Sequence, residues 1–142
     1  MDALIADANV LLRLITRTPP PMYEAARRFL EKAEEDGTRV EVHPVHAAEV
    51  VYVLESDLYG LTSETAAGEL LTLLDARVFA PIDEPVLLRT LTEYPDSGLD
   101  FPDAFLLAWA REHGLRALSF DRKLARAGKD VIVPGSRGER RA

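Results

Sequence analysis

Two aspartates follow short apolar segments of this sequence, at positions where a side chain could take part in chemistry. Asp7 comes directly after the apolar residues 4–6, and Asp121 comes after residues 117–120 in the same way. If both segments are strands of one parallel sheet, their carboxyl ends open onto the same crevice, where such sheets bind ligands. The alternative is that each aspartate only caps the helix that follows, since aspartate accepts hydrogen bonds from free helix N–H groups.

Glu49 is predicted to lie within a largely buried helix at residues 45–58. It is the only charged residue among residues 47–54, and its neighbours one helical turn away are Val45, Tyr52 and Val53. A buried carboxylate is costly unless it forms an ion pair or binds a metal ion. We therefore expect metal ligation by Glu49, with an ion pair to Arg13 as the alternative.

Asp100 and Asp103 begin another predicted helix, and the two residues are expected to play different parts. Their spacing is that of an acidic capping box, which gives Asp100 a structural role. Asp103 lies above an apolar helical face that carries Leu106, Leu107 and Ala110. We expect Asp100 to cap the helix and Asp103 to point inward.

The four acids Asp7, Glu49, Asp103 and Asp121 offer only carboxylate oxygens as ligands. The sequence contains no Cys and 3 His, and none of the histidines has a spacing useful for a metal site. Carboxylates select hard cations such as Mg²⁺ or Mn²⁺. Nucleases use these ions to polarise a phosphate, generate hydroxide and stabilise the leaving oxygen, which requires no side-chain nucleophile. The acids therefore indicate metal-dependent phosphodiester hydrolysis.

The elements that must position these acids alternate along the chain. Strands are predicted at residues 4–6, 39–43, 78–80, 117–120 and 131–133. Helices are predicted at residues 9–16, 23–35, 45–58, 62–74, 83–92, 100–113 and 122–127, with a loop at 94–98. Such alternation predicts an α/β fold with a short parallel sheet covered by helices on both faces.

Length and composition bound the remaining possibilities. A chain of 142 residues predicts a single domain over residues 1–142, with a flexible basic tail at about 135–142. No apolar run approaches the roughly 20 residues of a membrane helix, and the first residues lack the pattern of a secretory signal. The absence of Cys excludes disulfides and thiolate sites. We expect a cytoplasmic protein with no membrane partner.

Charge gives a mixed indication about nucleic acid. The net charge of −7 argues weakly against binding through bulk electrostatics. Bound cations would nevertheless mask a small acidic cluster. Basic residues concentrate in two stretches, Arg111, Arg116, Arg122, Lys123, Arg126 and Lys129, then Arg137, Arg140 and Arg141. Solvated surface is one interpretation of both stretches, and local attraction for nucleic acid is the other.

Taken in order, these segments resemble the PIN-domain ribonuclease family, and within it the VapC-like toxins of bacterial toxin–antitoxin pairs. The resemblance covers nearly the whole chain and is carried by residues 5–12, Glu49, residues 100–110 and residues 118–124. It implies a three-layer α/β/α fold and Mg²⁺- or Mn²⁺-dependent cleavage of RNA. It also implies that the catalytic and metal-binding acids are Asp7, Glu49, Asp103 and Asp121.

The resemblance further implies supporting residues and partners. Asn9 and Ser119 match supporting polar positions, Asp100 matches a position that is acidic in some members only, and Pro102 departs from the small residue of many relatives. An antitoxin, encoded by a short reading frame just upstream, would cover the acidic crevice. We also expect a homodimer, for which an apolar surface is predicted at Leu70, Leu71, Leu73 and Leu74.

Other protein classes fit less well. A haloacid-dehalogenase-like phosphatase requires a second aspartate where this chain has Asn9, and a receiver domain requires adjacent acids where this chain has Asp7 alone. Two alternatives stay within the resembled family. One is a stand-alone nuclease without an antitoxin, and the other is a non-catalytic domain that binds RNA or protein.

Overall fold

The computed structural model describes residues 3–135 of the chain. The described strands are β1 (Ala3–Ile5), β2 (Arg39–Val42), β3 (Phe79–Pro81), β4 (Ala117–Leu118) and β5 (Val131–Ile132). The described helices are α1 (Ala8–Thr16), α2 (Pro20–Glu35), α3 (Pro44–Glu55), α4 (Ser63–Leu74), α5 (Glu84–Ser97), α6 (Phe101–His113) and α7 (Arg122–Ala127). Every strand pair among them is parallel. The predicted α/β class with short parallel strands is confirmed.

The described strands form two sheets. β1, β2 and β3 are neighbours in that order, and Val40 in the middle strand lies opposite Leu4 on one side and Phe79 on the other. β4 pairs with β5, where Ala117 lies opposite Val131. The chain correspondingly divides into two compact units, the first ending at Glu84 and the second beginning at Pro85. The single domain expected from chain length stays a prediction.

The first unit is built on apolar residues from strands β2 and β3 and from the helices around them, whereas β1 contributes no buried side chain. Helix α1 packs against α2, α3 and α4. The side chains that are almost completely buried there include Leu11, Val42, Val50, Val51, Leu54 and Leu70. Burial of this kind contributes roughly 25 cal/mol per Å² of apolar surface removed from water.

Two predictions about helices of the first unit are wrong, one about where α3 ends and one about the exposure of the leucines on α4. Helix α3 ends at Glu55, because the Ser56 hydroxyl donates to the Val53 carbonyl at 2.6 Å and the next residues turn away. Leu58, predicted to be helical, is 75% exposed. The leucines expected to form a dimer surface belong to the core instead: Leu70 and Leu74 are buried, and Leu71 and Leu73 are half-buried.

Helix α5 is longer than the sequence predicted, and the expected loop at residues 94–98 is mostly helical. Pro95 lies in its last turn, where a missing N–H removes a single backbone hydrogen bond. Tyr94 is buried and packs edge-on against Phe101 with ring centroids 5.6 Å apart. The Ser97 hydroxyl donates to the Tyr94 carbonyl at 2.8 Å. Tertiary burial of Tyr94 therefore outweighs the helix-breaking tendency of proline here.

The described residues include no helix that is both long and apolar enough to cross a membrane. The basic tail predicted at about 135–142 lies outside the described residues apart from Gly135.

The second unit has a small apolar core of its own. Its buried members are Leu99, Leu107, Ala117 and Leu124, with Val131 packed against them. Leu124 contributes the only fully buried side chain of α7, the helix that follows Asp121. This core therefore holds the helix that Asp121 begins.

We expect Leu124→Ala to lower the free energy of unfolding by about 2–5 kcal/mol, because it leaves a cavity in this core. Urea unfolding followed by Trp109 fluorescence, from the same unit, measures the loss. Leu118→Ala is the matched control, since Leu118 is 68% exposed and should cost less than about 1 kcal/mol. Equal losses in the two variants would contradict the assignment of Leu124 to the core.

Candidate active site

Asp100 and Asp103 divide their roles at the start of α6 as the sequence predicted. Asp100 is the N-cap, and its Oδ1 accepts a hydrogen bond from the Asp103 backbone N–H at 3.1 Å. Pro102 occupies the first turn, where a missing N–H costs nothing. The side chain of Asp103 is half-buried and caps nothing. Asp103 is thus held by the helix through its backbone, and its carboxylate is not used in capping.

The carboxyl group of Asp103 lies in an unfavourable environment for a negative charge. Burial raises its pKa above the usual range, and the charge of Asp100, a hydrogen bond with Asp100 and the charge of Asp121 raise it further. Within the second unit, the charge of Asp121 therefore lies close enough to raise the pKa of the Asp103 carboxyl group. Repulsion of this kind is relieved by a cation bound between carboxylates.

Asp121 caps α7 and is itself positioned by Ser119. Its Oδ1 accepts from the backbone N–H groups of Lys123 at 2.8 Å and Leu124 at 3.3 Å. Its own N–H donates to the Ser119 hydroxyl at 2.9 Å. Within the described part of the chain its Oδ2 makes no hydrogen bond. The capping alternative is therefore correct for Asp121, and it leaves one carboxylate oxygen available.

Asp7 repeats this arrangement at the end of β1. It is exposed and is the N-cap of α1, where its Oδ1 accepts from the Val10 N–H at 3.1 Å. Asn9 is exposed in the first turn of the same helix. The cap fixes the direction of the carboxylate at the carboxyl end of a parallel strand, where ligands bind in sheets of this type.

The prediction that Glu49 is buried is wrong. Glu49 is exposed, and its neighbours Val45 and Tyr52 are 69% and 76% exposed. Helix α3 buries its other face, formed by Ala47, Val50, Val51 and Leu54. The apolar stripe around Glu49 is real, but it lies on the surface, so burial does not force this carboxylate to find a cation.

The ion pair considered for Glu49 is not formed either. Among residues 3–135 no salt bridge joins Glu49 to Arg13, and the Nε of Arg13 is buried without a hydrogen-bond partner. Glu49 is therefore available to a ligand.

Asp100 and Asp121 lie near enough to Asp103 to raise the pKa of its carboxyl group, and all three acids belong to the second unit. Asp7 and Glu49 belong to the first unit, on helices α1 and α3 that pack against each other. In the part of the chain that is described, no group of three or more His, Cys, Asp or Glu residues is placed to hold a metal ion. A metal site shared by the four acids stays a proposal.

Sequence reasoning missed two features near these acids. Phe120, between Ser119 and Asp121, is 76% exposed, and the strand alternation of buried Ala117 with exposed Leu118 could have indicated it. At the carboxyl end of β2, the ring Nε2 of His43 lies 2.9 Å from Glu41 Oε1. Glu41 itself pairs in register with Ile5, two residues before Asp7.

Comparisons with known proteins identify the family. A family model described as PIN domain matches residues 4–130, a segment that contains all four predicted acids. A crystal structure of VapBC2 from Rickettsia felis, bound to a DNA fragment from their promoter, is similar over 93% of this chain and 97% of that chain. The identity is 13% and the TM-score 0.37. Among curated proteins, none matches this sequence.

The raised pKa of Asp103 yields a prediction about stability without metal. An acid with a raised folded-state pKa destabilises the fold when ionised, so stability is lower at pH 7 and is regained as pH falls through that pKa. Asp103→Asn removes the charge and should raise Tm by roughly 1–4 °C at pH 7 in EDTA. Calorimetry measures the shift, with Asp130→Asn as an exposed control in the same unit. A lower Tm for Asp103→Asn would contradict the unfavourable environment.

Proposed function

This chain belongs to the PIN-domain family, and on that premise we propose that it is an endoribonuclease that depends on Mg²⁺ or Mn²⁺. The proposed metal ligands and catalytic acids are Asp7, Glu49, Asp103 and Asp121. The observation that carries the proposal is the half-buried carboxylate of Asp103, whose pKa is raised by burial and by Asp100 and Asp121. A protein keeps charges in such a place at a cost in stability, which a bound cation offsets.

The donor chemistry of these residues fits a hard divalent cation. All four side chains are carboxylates, and Mg²⁺ and Mn²⁺ prefer oxygen ligands. The pKa of Asp103 is raised by two neighbouring acids, which is the electrostatic condition that a cation satisfies. When bound, such an ion polarises the scissile phosphate, supplies hydroxide from water and stabilises the leaving oxygen.

The chain's own contribution is to orient the carboxylates before RNA arrives. Asp7 and Asp121 are each fixed through Oδ1 by backbone N–H groups, so their orientation is set by helices rather than by flexible side-chain torsions. Ser119 restrains the backbone at Asp121. Asp103 is fixed on the first turn of α6 through the Asp100 cap. Ligands held in advance in this way lose little freedom on binding, which favours both affinity and rate.

The proposed biological setting is that of a toxin with an antitoxin partner. Support comes from the sequence segments that resemble VapC-like toxins, at residues 5–12, 100–110 and 118–124. An antitoxin segment would act by covering the acids. The two alternatives are a stand-alone nuclease and a non-catalytic binding domain. A binding domain has no need of the unfavourable charge at Asp103.

The nuclease proposal predicts a sharp difference between two aspartates three residues apart. Asp103→Asn should lower the RNA cleavage rate by about 100-fold or more, since it weakens a metal ligand that acts in the transition state. Asp100→Asn is the matched control, because asparagine caps helices about as well as aspartate and little activity should be lost. The assay uses purified protein and labelled RNA with Mn²⁺, with EDTA as the blank. Cleavage by Asp103→Asn at the wild-type rate would defeat the catalytic assignment.

The partner proposal predicts an assembly and a neutralising protein. The homodimer now rests on the family resemblance alone, because Leu70 and Leu74 are buried in the core and Leu71 and Leu73 are half-buried. Light scattering at micromolar concentration should give twice the 15.7 kDa chain mass. Expression alone should arrest growth, and co-expression of the short upstream reading frame should restore it. A monomer mass refutes the dimer, and growth without arrest places the protein among the stand-alone nucleases.

A further inference from the structure

Positive charge is unevenly divided between the two units of this acidic chain. Residues 1–84 carry a net charge of −9, whereas residues 85–135 are neutral and residues 136–142 carry +2. Phosphate backbones are attracted by local rather than total charge, and neutralising them releases counterions. The second unit is therefore the part of the chain that a polyanion would approach.

The two arginines of α5 and α6, Arg89 and Arg111, already form ion pairs with glutamates. Arg89 pairs with Glu93 at 2.8 Å and with Glu112 at 2.9 Å, and Arg111 pairs with Glu93 at 2.9 Å. This network joins two helices and leaves little charge for a ligand. Positive charge that could contact a ligand must therefore lie elsewhere in the unit.

Exposed positive charge is concentrated on α7, in a cationic patch formed by Arg122, Lys123 and Arg126. All three residues are exposed, and among residues 3–135 none of them forms an ion pair. Arg122 and Arg126 are four residues apart and share one face of the helix. The patch begins immediately after Asp121, so cations and a proposed metal ligand are adjacent.

Lys123 also lies close to the loop that leads to Asp100. Its Cε is 4.0 Å from the position that a Cβ on Gly98 would occupy. The patch therefore borders the segment that begins α6 as well as the end of β4. It flanks the acids of the second unit on the side of α7.

Phe120 adds an aromatic surface at the same place. Its side chain is 76% exposed, and it directly precedes Asp121. Leaving a phenylalanine in water is unfavourable unless something covers it. Proteins that bind single-stranded nucleic acid combine a cationic track with exposed aromatic rings on which bases stack.

We propose that Phe120 stacks on a base of single-stranded RNA while Arg122, Lys123 and Arg126 contact its phosphates, beside the acids proposed to cleave it. This assignment rests on the proposed function for its substrate. RNA is favoured over a protein partner because three exposed cations, none of which forms an ion pair within residues 3–135, follow the aromatic residue within six positions of the chain. A protein that covered Phe120 would have to supply matching acids.

Binding is measured without cleavage, by fluorescence anisotropy of a labelled 12-nucleotide oligouridylate in EDTA over a series of salt concentrations. Phe120→Leu should weaken binding about 5- to 100-fold, the range of one lost base stack, and Phe120→Trp should restore it. Phe29→Leu is the matched control, since Phe29 is 59% exposed on α2 and should leave the affinity unchanged. Wild-type affinity in Phe120→Leu, or failure of Trp to restore a loss, would overturn the stacking role.

The cations are tested by the salt dependence of the same equilibrium. Lys123→Gln with Arg126→Gln should reduce the slope of log Kd against log salt by about 1.4, since each phosphate contact on a single strand contributes about 0.7. Arg77→Gln, at an exposed arginine of the first unit, should change the slope little. An unchanged slope in the double variant overturns the phosphate contacts, as does the absence of wild-type binding at 50 mM salt.

Binding in EDTA also separates this inference from the nuclease proposal. A protein that binds RNA with these dependences but does not cleave it with Mn²⁺ upholds the patch and refutes the enzyme. A protein that cleaves RNA while Phe120→Leu and the double variant bind like the wild type upholds the enzyme and refutes the patch.

Discussion

The proposed site depends on carboxylates that cap helices, two of them just after strands and one, Asp100, between α5 and α6. Asp7, Asp100 and Asp121 each accept backbone N–H groups at the start of α1, α6 and α7. The positive end of a helix stabilises such a charge, and the bonds to one oxygen fix its direction. Capping and metal binding are therefore compatible uses of the same side chain. The cap at Asp100 has a further effect, because it places Asp103 on the first turn without using the Asp103 carboxylate.

Electrostatics then distinguishes Asp103 from the other acids. Its pKa is raised first by burial and then by Asp100 and Asp121, so the fold carries an unfavourable charge that a cation would relieve. Arg122, Lys123 and Arg126, which follow Asp121, are exposed and form no ion pair within residues 3–135, so they offer a favourable surface for phosphate beside Asp121. The proposed metal ligand Asp121 and the three cations proposed to contact phosphate thus lie within residues 121–126.

Local signals allowed the sequence to predict the elements well, and long-range packing explains where it failed. Asp caps, Pro102 and the left-handed Gly114 mark the ends of α6 within the chain itself. The buried face of α3 is decided by partners distant in sequence, so an apolar stripe at Val45 and Tyr52 could not reveal that Glu49 is exposed. Pro95 is helical for the same reason, because Tyr94 is held by Phe101. Capping roles for Asp100 and Asp121 were predictable from the sequence. Their effect on the pKa of Asp103 was not, because it depends on how the fold places the three side chains.

The proposed function requires Asp7, Glu49 and Asp121 each to be a ligand of the divalent ions. Titration calorimetry with Mn²⁺ on the wild type, Asp7→Asn, Glu49→Gln and Asp121→Asn measures whether each carboxylate contributes to the affinity. We expect millimolar or tighter binding by the wild type and at least tenfold weaker binding by each variant, because each loses one ligand charge. Wild-type Mn²⁺ affinity in Asp7→Asn and Glu49→Gln, with a loss in Asp121→Asn alone, would show that Asp7 and Glu49 are not ligands.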